Sequence, residues 1–225
     1  MQWLADLFPN VVSNQTQFVE SIWQTLYMLF ASGVLVGVIG LVLGVALVVT
    51  EPGQVLANAA VYQVLDKIVN VMRSIPFIIL LALVTPLTKL LVGTSIGTTA
   101  AIVPLVIGCT PFYARQVQGA LASVDQGLVE AAVAMGLSPV DIIFKVYLKD
   151  GAAEIARTSI VTIISLIGLT AMAGAVGAGG LGDIAITLGY NQFENDVTVA
   201  ATLIILLMVL VIQFFGDLVV KRLTH

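Results

Sequence analysis

The chain has 225 residues, of which 59% are hydrophobic and only 10% charged, with a mean hydropathy of +1.08. A soluble domain needs more polar surface than this, and a net charge of −4 argues against a nucleic-acid partner. A single cysteine, Cys109, excludes an internal disulfide and a multi-cysteine metal site.

The first fifteen residues, MQWLADLFPNVVSNQ, hold no Lys or Arg. They lack the basic start of a secretory signal, so the first apolar segment is expected to stay as a membrane helix. A helix crosses a bilayer with about 20 apolar residues, and five segments reach that length: about 22–49, 68–92, 96–117, 155–176 and 197–220. The first is uncharged and carries Gly33-x-x-x-Gly37 and Gly40-x-x-x-Gly44, spacings that let two helices approach closely, within the chain or between chains. Glu51-Pro52-Gly53 ends it. Pro76 and Pro86 fall in the second segment, where neighbours in a membrane bundle can re-satisfy the freed carbonyls.

Lys67, Arg73, Arg115, Lys145, Lys149, Arg157, Lys221 and Arg222 fall on one side of alternating spans, and only Lys89 on the other. Basic loops stay in the cytoplasm. The amino terminus is therefore expected outside, the carboxy terminus inside, and the loop of about 118–154 in the cytoplasm.

Gly177, Gly179 and Gly182 match the G-x-G-x-x-G of dinucleotide-binding turns. That site needs a strand before it, whereas SIVTIISLIGLTAMAG reads as a membrane helix. The glycines are read as an irregular, tightly packed outer end of the fourth span. No Gly-x-x-x-x-Gly-Lys-Ser/Thr occurs, so the chain carries no P-loop.

The loop DQGLVEAAVAMGLSPVDIIFKVYLKD, Asp125 to Asp150, reads as helix, glycine turn, helix. Gly136 sits at a left-handed stop, Ser138 is an N-cap, Pro139 the first helical residue and Asp141 the returning acid of a capping box. Leu128, Val129, Ala132 and Met135 give the hairpin an apolar surface that wants a partner.

Glu130-Ala131-Ala132 followed by Gly136, Ile143 and Leu148 resembles the EAA loop of ABC-importer permeases. EPGQ (51–54), RSIPFIILL (73–81), VGTSIG (92–97), AAIVPL (100–105), AMAGAVGAGGLGDI (171–184) and QFFGDLVV (213–220) extend the resemblance to the methionine-uptake branch over nearly the whole chain. The resemblance implies an all-α integral membrane fold of the type I ABC-importer permease kind: five transmembrane helices, one permease domain over 1–225, and a cytoplasmic coupling helix. It implies a bacterial inner-membrane subunit that imports methionine, including the D-isomer. Its partners would be a second copy, two copies of a cytoplasmic ATPase, an external methionine-binding lipoprotein and the lipid bilayer. ATP and Mg would be bound by the ATPase, with no cofactor in this chain.

On the same resemblance Glu130, Ala131, Ala132 and Gly136 couple to the ATPase. Glu130 would contact or cap the ATPase groove, or remain a solvated acid near the helix dipole. In one departure, Leu148-Lys149 stands where the family has Leu-Pro, and the fixed proline angle is lost at the start of the fourth span. Met172 is a candidate outer gate or else packing filler. Ser165 and Thr170 are candidate polar contacts along the pathway, or else bond the helix carbonyl four residues back. Two other readings stay open. The same fold could carry another amino acid. An ion-coupled secondary transporter is disfavoured, because every acid is placed at a span end or in a loop and the one histidine is His225.

Overall fold

A computed structural model of the chain describes residues 7–224. The first six residues of the charge argument, and His225, lie outside it. Among the described residues every regular element is helical. After a short α1 (Pro9–Ser13) come α2 (Gln15–Thr50), α3 (Ala59–Ser74), α4 (Phe77–Val92) and α5 (Thr98–Ala122). Two short helices follow, α6 (Gln126–Ala134) and α7 (Pro139–Ile142). The long helices α8 (Ala152–Ala173) and α10 (Asn195–Leu223) flank α9 (Leu181–Ile184). π-helical turns extend α7 over Ile143–Tyr147 and α9 over Ala185–Tyr190, whereas beyond α8 the segment Gly174–Ala178 kinks, with non-helical backbone at Val176 and Gly177.

Four helices are long and apolar enough to cross a membrane, and a fifth crossing is available if α3 and α4 form one broken span. Only 6% of the most apolar stretch of α10 is buried. That much exposed hydrocarbon is stable in lipid and costly in water.

The second expected span is built from two helices. Instead of one helix over 68–92, the chain makes α3 and α4, broken at Ile75, which is extended (φ −81°, ψ 121°). Pro76 disfavours the helical conformation in the residue before it. Pro86, by contrast, sits inside α4 without ending it. Lys67, expected at the start of the second span, therefore lies inside a helix, α3, beside Asp66.

The chain forms two compact units. One gathers the chain up to Val34, Pro76–Ile107 and Ile163–Ile212. Phe18, Leu181, Ile184, Val197 and Ala201 form a buried cluster in it. Asn10 holds Asp196 through both its backbone N–H (2.9 Å) and its side-chain amide (2.8 Å). Val11, beside Asn10, packs on the cluster.

The other unit contains Leu35–Ile75, Gly108–Thr162 and the chain from Gln213 onward. Its glycines explain part of the G-x-x-x-G pattern. A Cβ on Gly40 would lie 2.7 Å from the Tyr113 ring, and one on Gly44 would lie 2.5 Å from Val117 and 2.8 Å from the Ala114 carbonyl. This pair thus serves packing within the chain. Gly33 and Gly37 have no such tight neighbour. In the same unit Arg115 bonds Asp66 (2.6 Å), Asn70 (2.9 Å) and Gln118 (2.5 Å), joining α5 to the polar side of α3.

Candidate functional site

The loop between α5 and α8 folds as its local chemistry dictates. Asp125 caps α6 by accepting a hydrogen bond from the Gly127 N–H at 2.8 Å. Gly136 then takes the left-handed conformation, φ +78°. Its N–H bonds the Val133 carbonyl, and the Leu137 N–H bonds the Ala132 carbonyl, so the carbonyls at the helix end are satisfied. Ser138 opens α7: its Oγ accepts from the Asp141 N–H at 3.2 Å and donates to the Asp141 carboxylate at 2.6 Å. Lys145 completes this corner with a 2.5 Å ion pair to Asp141. Hydrogen bonds from Lys145 and Ser138 hold the Asp141 carboxyl below the usual carboxylate range.

The hairpin has two faces. Val129, Ala132, Ile142, Val146 and Tyr147 are buried. Leu128, Val133, Met135, Val140 and Phe144 are exposed, Met135 by 72%. Glu130 and Ala131 are exposed beside this apolar surface, and Ala132 faces inward. A Cβ on Gly136 would meet nothing within 4 Å, so its surroundings within the chain are open. At the departure from Leu-Pro, Lys149 sits in a helical turn, Leu148–Asp150, and Gly151 precedes α8. The proline is not needed to start that helix.

The glycine run at the other end of α8 is a packing device. No strand precedes it among the described residues. A Cβ on Gly182 would lie 2.2 Å from the Ala171 carbonyl oxygen, and one on Gly174 would lie 2.6 Å from the Asp183 nitrogen. Gly177, Gly179 and Gly180 have φ of +92°, +82° and +83°. Two side chains of α2 cap the segment. Gln24 Oε1 accepts from the Gly180 N–H at 2.7 Å, and Thr25 Oγ1 accepts from the Leu181 N–H at 2.8 Å. A polar hollow of about 340 Å³ opens beside it, with Gln17, Glu20, Gln24, Thr98 and Asp183 in its lining.

The three pathway candidates on α8 separate. Thr170 is buried, and its hydroxyl donates to the Ile167 carbonyl at 2.7 Å. Ser165 and Met172 are exposed, Met172 by 43%. Val161, Ser165, Gly168 and Met172 form one exposed stripe at helical spacing. Gly168 and Val161 were not singled out from the sequence, although their i, i+3, i+4 spacing was the available signal. Nor were Gln24 and Thr25, whose partners lie far along the chain. Among the described residues no group of three His, Cys, Asp or Glu is placed to hold a metal ion.

Residues 38–225 match the family described as the binding-protein-dependent transport system inner membrane component. The chain is 44% identical over 214 residues to the probable D-methionine transport system permease protein MetI of Vibrio cholerae, covering 94% of each. It is 46% identical over 212 residues to the methionine import system permease protein MetP of Bacillus subtilis, covering 94% of this chain and 95% of the relative. A solved chain of the MetNI methionine ABC transporter in inward-facing conformations superposes with a TM-score of 0.92 at 46% identity, covering 95% of this chain and 99% of that one. An amino acid ABC transporter shares the fold at 18% identity, with a TM-score of 0.79 and coverage of 96% and 98%. On the extent of these matches, this chain belongs to the family of binding-protein-dependent transport system inner membrane components.

Proposed function

We propose that this chain is the permease subunit of an ATP-driven methionine importer, taking L- and D-methionine, and is not itself an enzyme. The observation that carries the reading is the capped hairpin with its unpartnered apolar face. It supplies a docking surface for a separate ATPase, and the chain has no P-loop. The cargo rests on relatives that are 44% and 46% identical over 94% of the chain and carry methionine in their names.

In this reading residues 1–225 act as one permease domain of five spans, with α3 and α4 as one broken crossing. Five spans are too few to enclose an amino-acid path, so two copies form it together. Two ATPase subunits bind ATP and Mg below, and an external binding lipoprotein delivers cargo from outside the bacterial inner membrane. The amino terminus faces outside and the carboxy terminus the cytoplasm, in keeping with the placement of the basic residues. ATP binding closes the ATPase dimer, and the hairpin rides with it as a rigid lever. Glu130 and Ala131 meet the ATPase groove, Ala132 packs the lever onto its own chain, and Gly136 gives the turn. Ser165 and Met172 line the path, with Met172 its outer gate. Thr170 backs that helix from the buried side.

The test is uptake of labelled L-methionine in cells lacking their other methionine importers. The cells express this chain with its ATPase and binding protein, and Gly136→Arg is the control. ATP-dependent uptake that vanishes in the variant supports cargo and lever together. Uptake that survives removal of the ATPase overturns the coupling, and transport of a different amino acid alone overturns only the cargo.

A further inference from the structure

The turn Glu51-Pro52-Gly53-Gln54 ends the first long helix without hanging loose. Gly53 has φ +90°. The Gln54 N–H bonds the Glu51 carbonyl (3.0 Å), the Leu56 N–H the Val49 carbonyl (2.9 Å) and the Asn58 N–H the Thr50 carbonyl (2.9 Å). The turn thus folds back onto the last residues of α2.

Its side chain reaches the hairpin. Tyr147 is the last residue of the π turn that extends α7 and is fully buried. Its hydroxyl donates to Gln54 Oε1 at 2.5 Å, across 93 positions of sequence. Burial, and then the Glu51 carboxylate, push the phenol above its usual pKa, so it stays a donor at any working pH. Behind it, a Cβ on Gly151 would lie 2.7 Å from both Leu121 and the Tyr147 carbonyl, so the second arm of the hairpin is wedged against the end of α5. Residues 35–50 of α2 are pressed on α5 at Gly40 and Gly44. Close-packed elements of this kind shift as bodies rather than deform.

We infer that Tyr147 and Gln54 are positioning residues for energy coupling. Their hydrogen bond ties the end of the first long helix to the docking hairpin. Displacement of the hairpin then reaches α2 directly, as well as reaching α8 through the covalent chain. The inference rests on the hairpin being the ATPase-docking element. A merely structural bond would affect the amount of folded transporter. A coupling bond changes how much cargo moves for each ATP hydrolysed.

The experiment uses the whole transporter, this chain with its ATPase and binding protein, in liposomes. Methionine uptake and ATP hydrolysis are read in parallel. Tyr147→Phe and Gln54→Leu are each expected to lower the methionine moved per ATP by roughly fivefold, the scale of one buried hydrogen bond. The double variant should be no worse than either single, because both remove the same bond. Gln54 is partly exposed, so its substitution keeps the test open if Tyr147→Phe folds poorly. Single variants that keep the wild-type ratio while Gly136→Arg is dead overturn the tether alone. So does a double variant whose losses multiply. Gly136→Arg that still assembles and transports overturns the docking reading, and the tether with it.

Discussion

At the scale of single residues, some glycines are packed tightly against a neighbour and others face open space. Gly44 is of the first kind: even a Cβ would lie 2.5 Å from Val117 and 2.8 Å from a backbone oxygen. Gly44→Leu should therefore force α2 and α5 apart, at a cost of about 1–3 kcal/mol or more. Gly37 is of the second kind. Gly37→Ala should stabilise by roughly 1 kcal/mol, because alanine is the better helix former. Thermal unfolding of the two variants in detergent checks the pair, and equal melting temperatures would refute the distinction. Thr25 poses a polar version of the question. Thr25→Val leaves the buried Leu181 N–H without its acceptor and should cost about 1–3 kcal/mol. Thr25→Ser keeps the acceptor and should restore most of the loss in the same assay. The cap of α7 is legible in the sequence because Ser138 and Asp141 act within three residues of each other, whereas the Asp125 cap of α6, equally local, reads in the sequence as part of the helix. The caps from Gln24 and Thr25 act across 156 residues, so no local window contains them.

At the scale of elements, the hairpin keeps a pH-sensitive corner. The Asp141 carboxyl titrates lower in the folded chain than unfolded, through its bonds to Lys145 and Ser138. Its contribution is therefore present above the unfolded aspartate value and is lost as pH falls through the folded one. Proteolytic cutting within 138–147 should rise on acidification below the ordinary aspartate range. In Asp141→Asn cutting should be higher at neutral pH and less dependent on acid. A wild-type rate flat in pH would remove Asp141 from the stability of this turn. The break between α3 and α4 shows how far the pattern alone carries. Both Pro76 and Pro86 are visible as interruptions of the apolar run, tolerable within one span. Pro86 is absorbed, whereas at Pro76 the preceding Ile75 goes extended and a new helix starts at Phe77. Composition cannot tell these cases apart, because the outcome depends on what packs beside each proline.

At the scale of the whole molecule, the proposed orientation rests on the charge pattern, and two exposed residues can test it. Met135 is 72% and Phe193 84% accessible. With Cys109→Ala as background, a membrane-impermeant thiol reagent on whole cells should label Phe193→Cys and leave Met135→Cys untouched until the cells are opened. The reverse pattern would invert the topology and place the hairpin beyond reach of any ATPase. Membrane character and the hairpin were legible from hydropathy and local capping. The pattern of burial along α8 was not, because hydropathy does not say which of Ser165, Thr170 and Met172 is buried within the chain.

The hairpin's outward face also bears on how cells make the transporter. Met135 and Phe144, 72% and 65% exposed, give the hairpin an apolar outward face. On the proposed docking, a copy made without its ATPase would carry an adhesive spot and be drawn to chaperones, proteases or its own kind. Yield should accordingly follow the supply of the ATPase. Expressed alone, the chain should turn over quickly, and Met135→Ser with Phe144→Ser should lengthen its lifetime while abolishing assembly. Synthesis of the two subunits in fixed proportion then becomes a requirement set by a few exposed side chains.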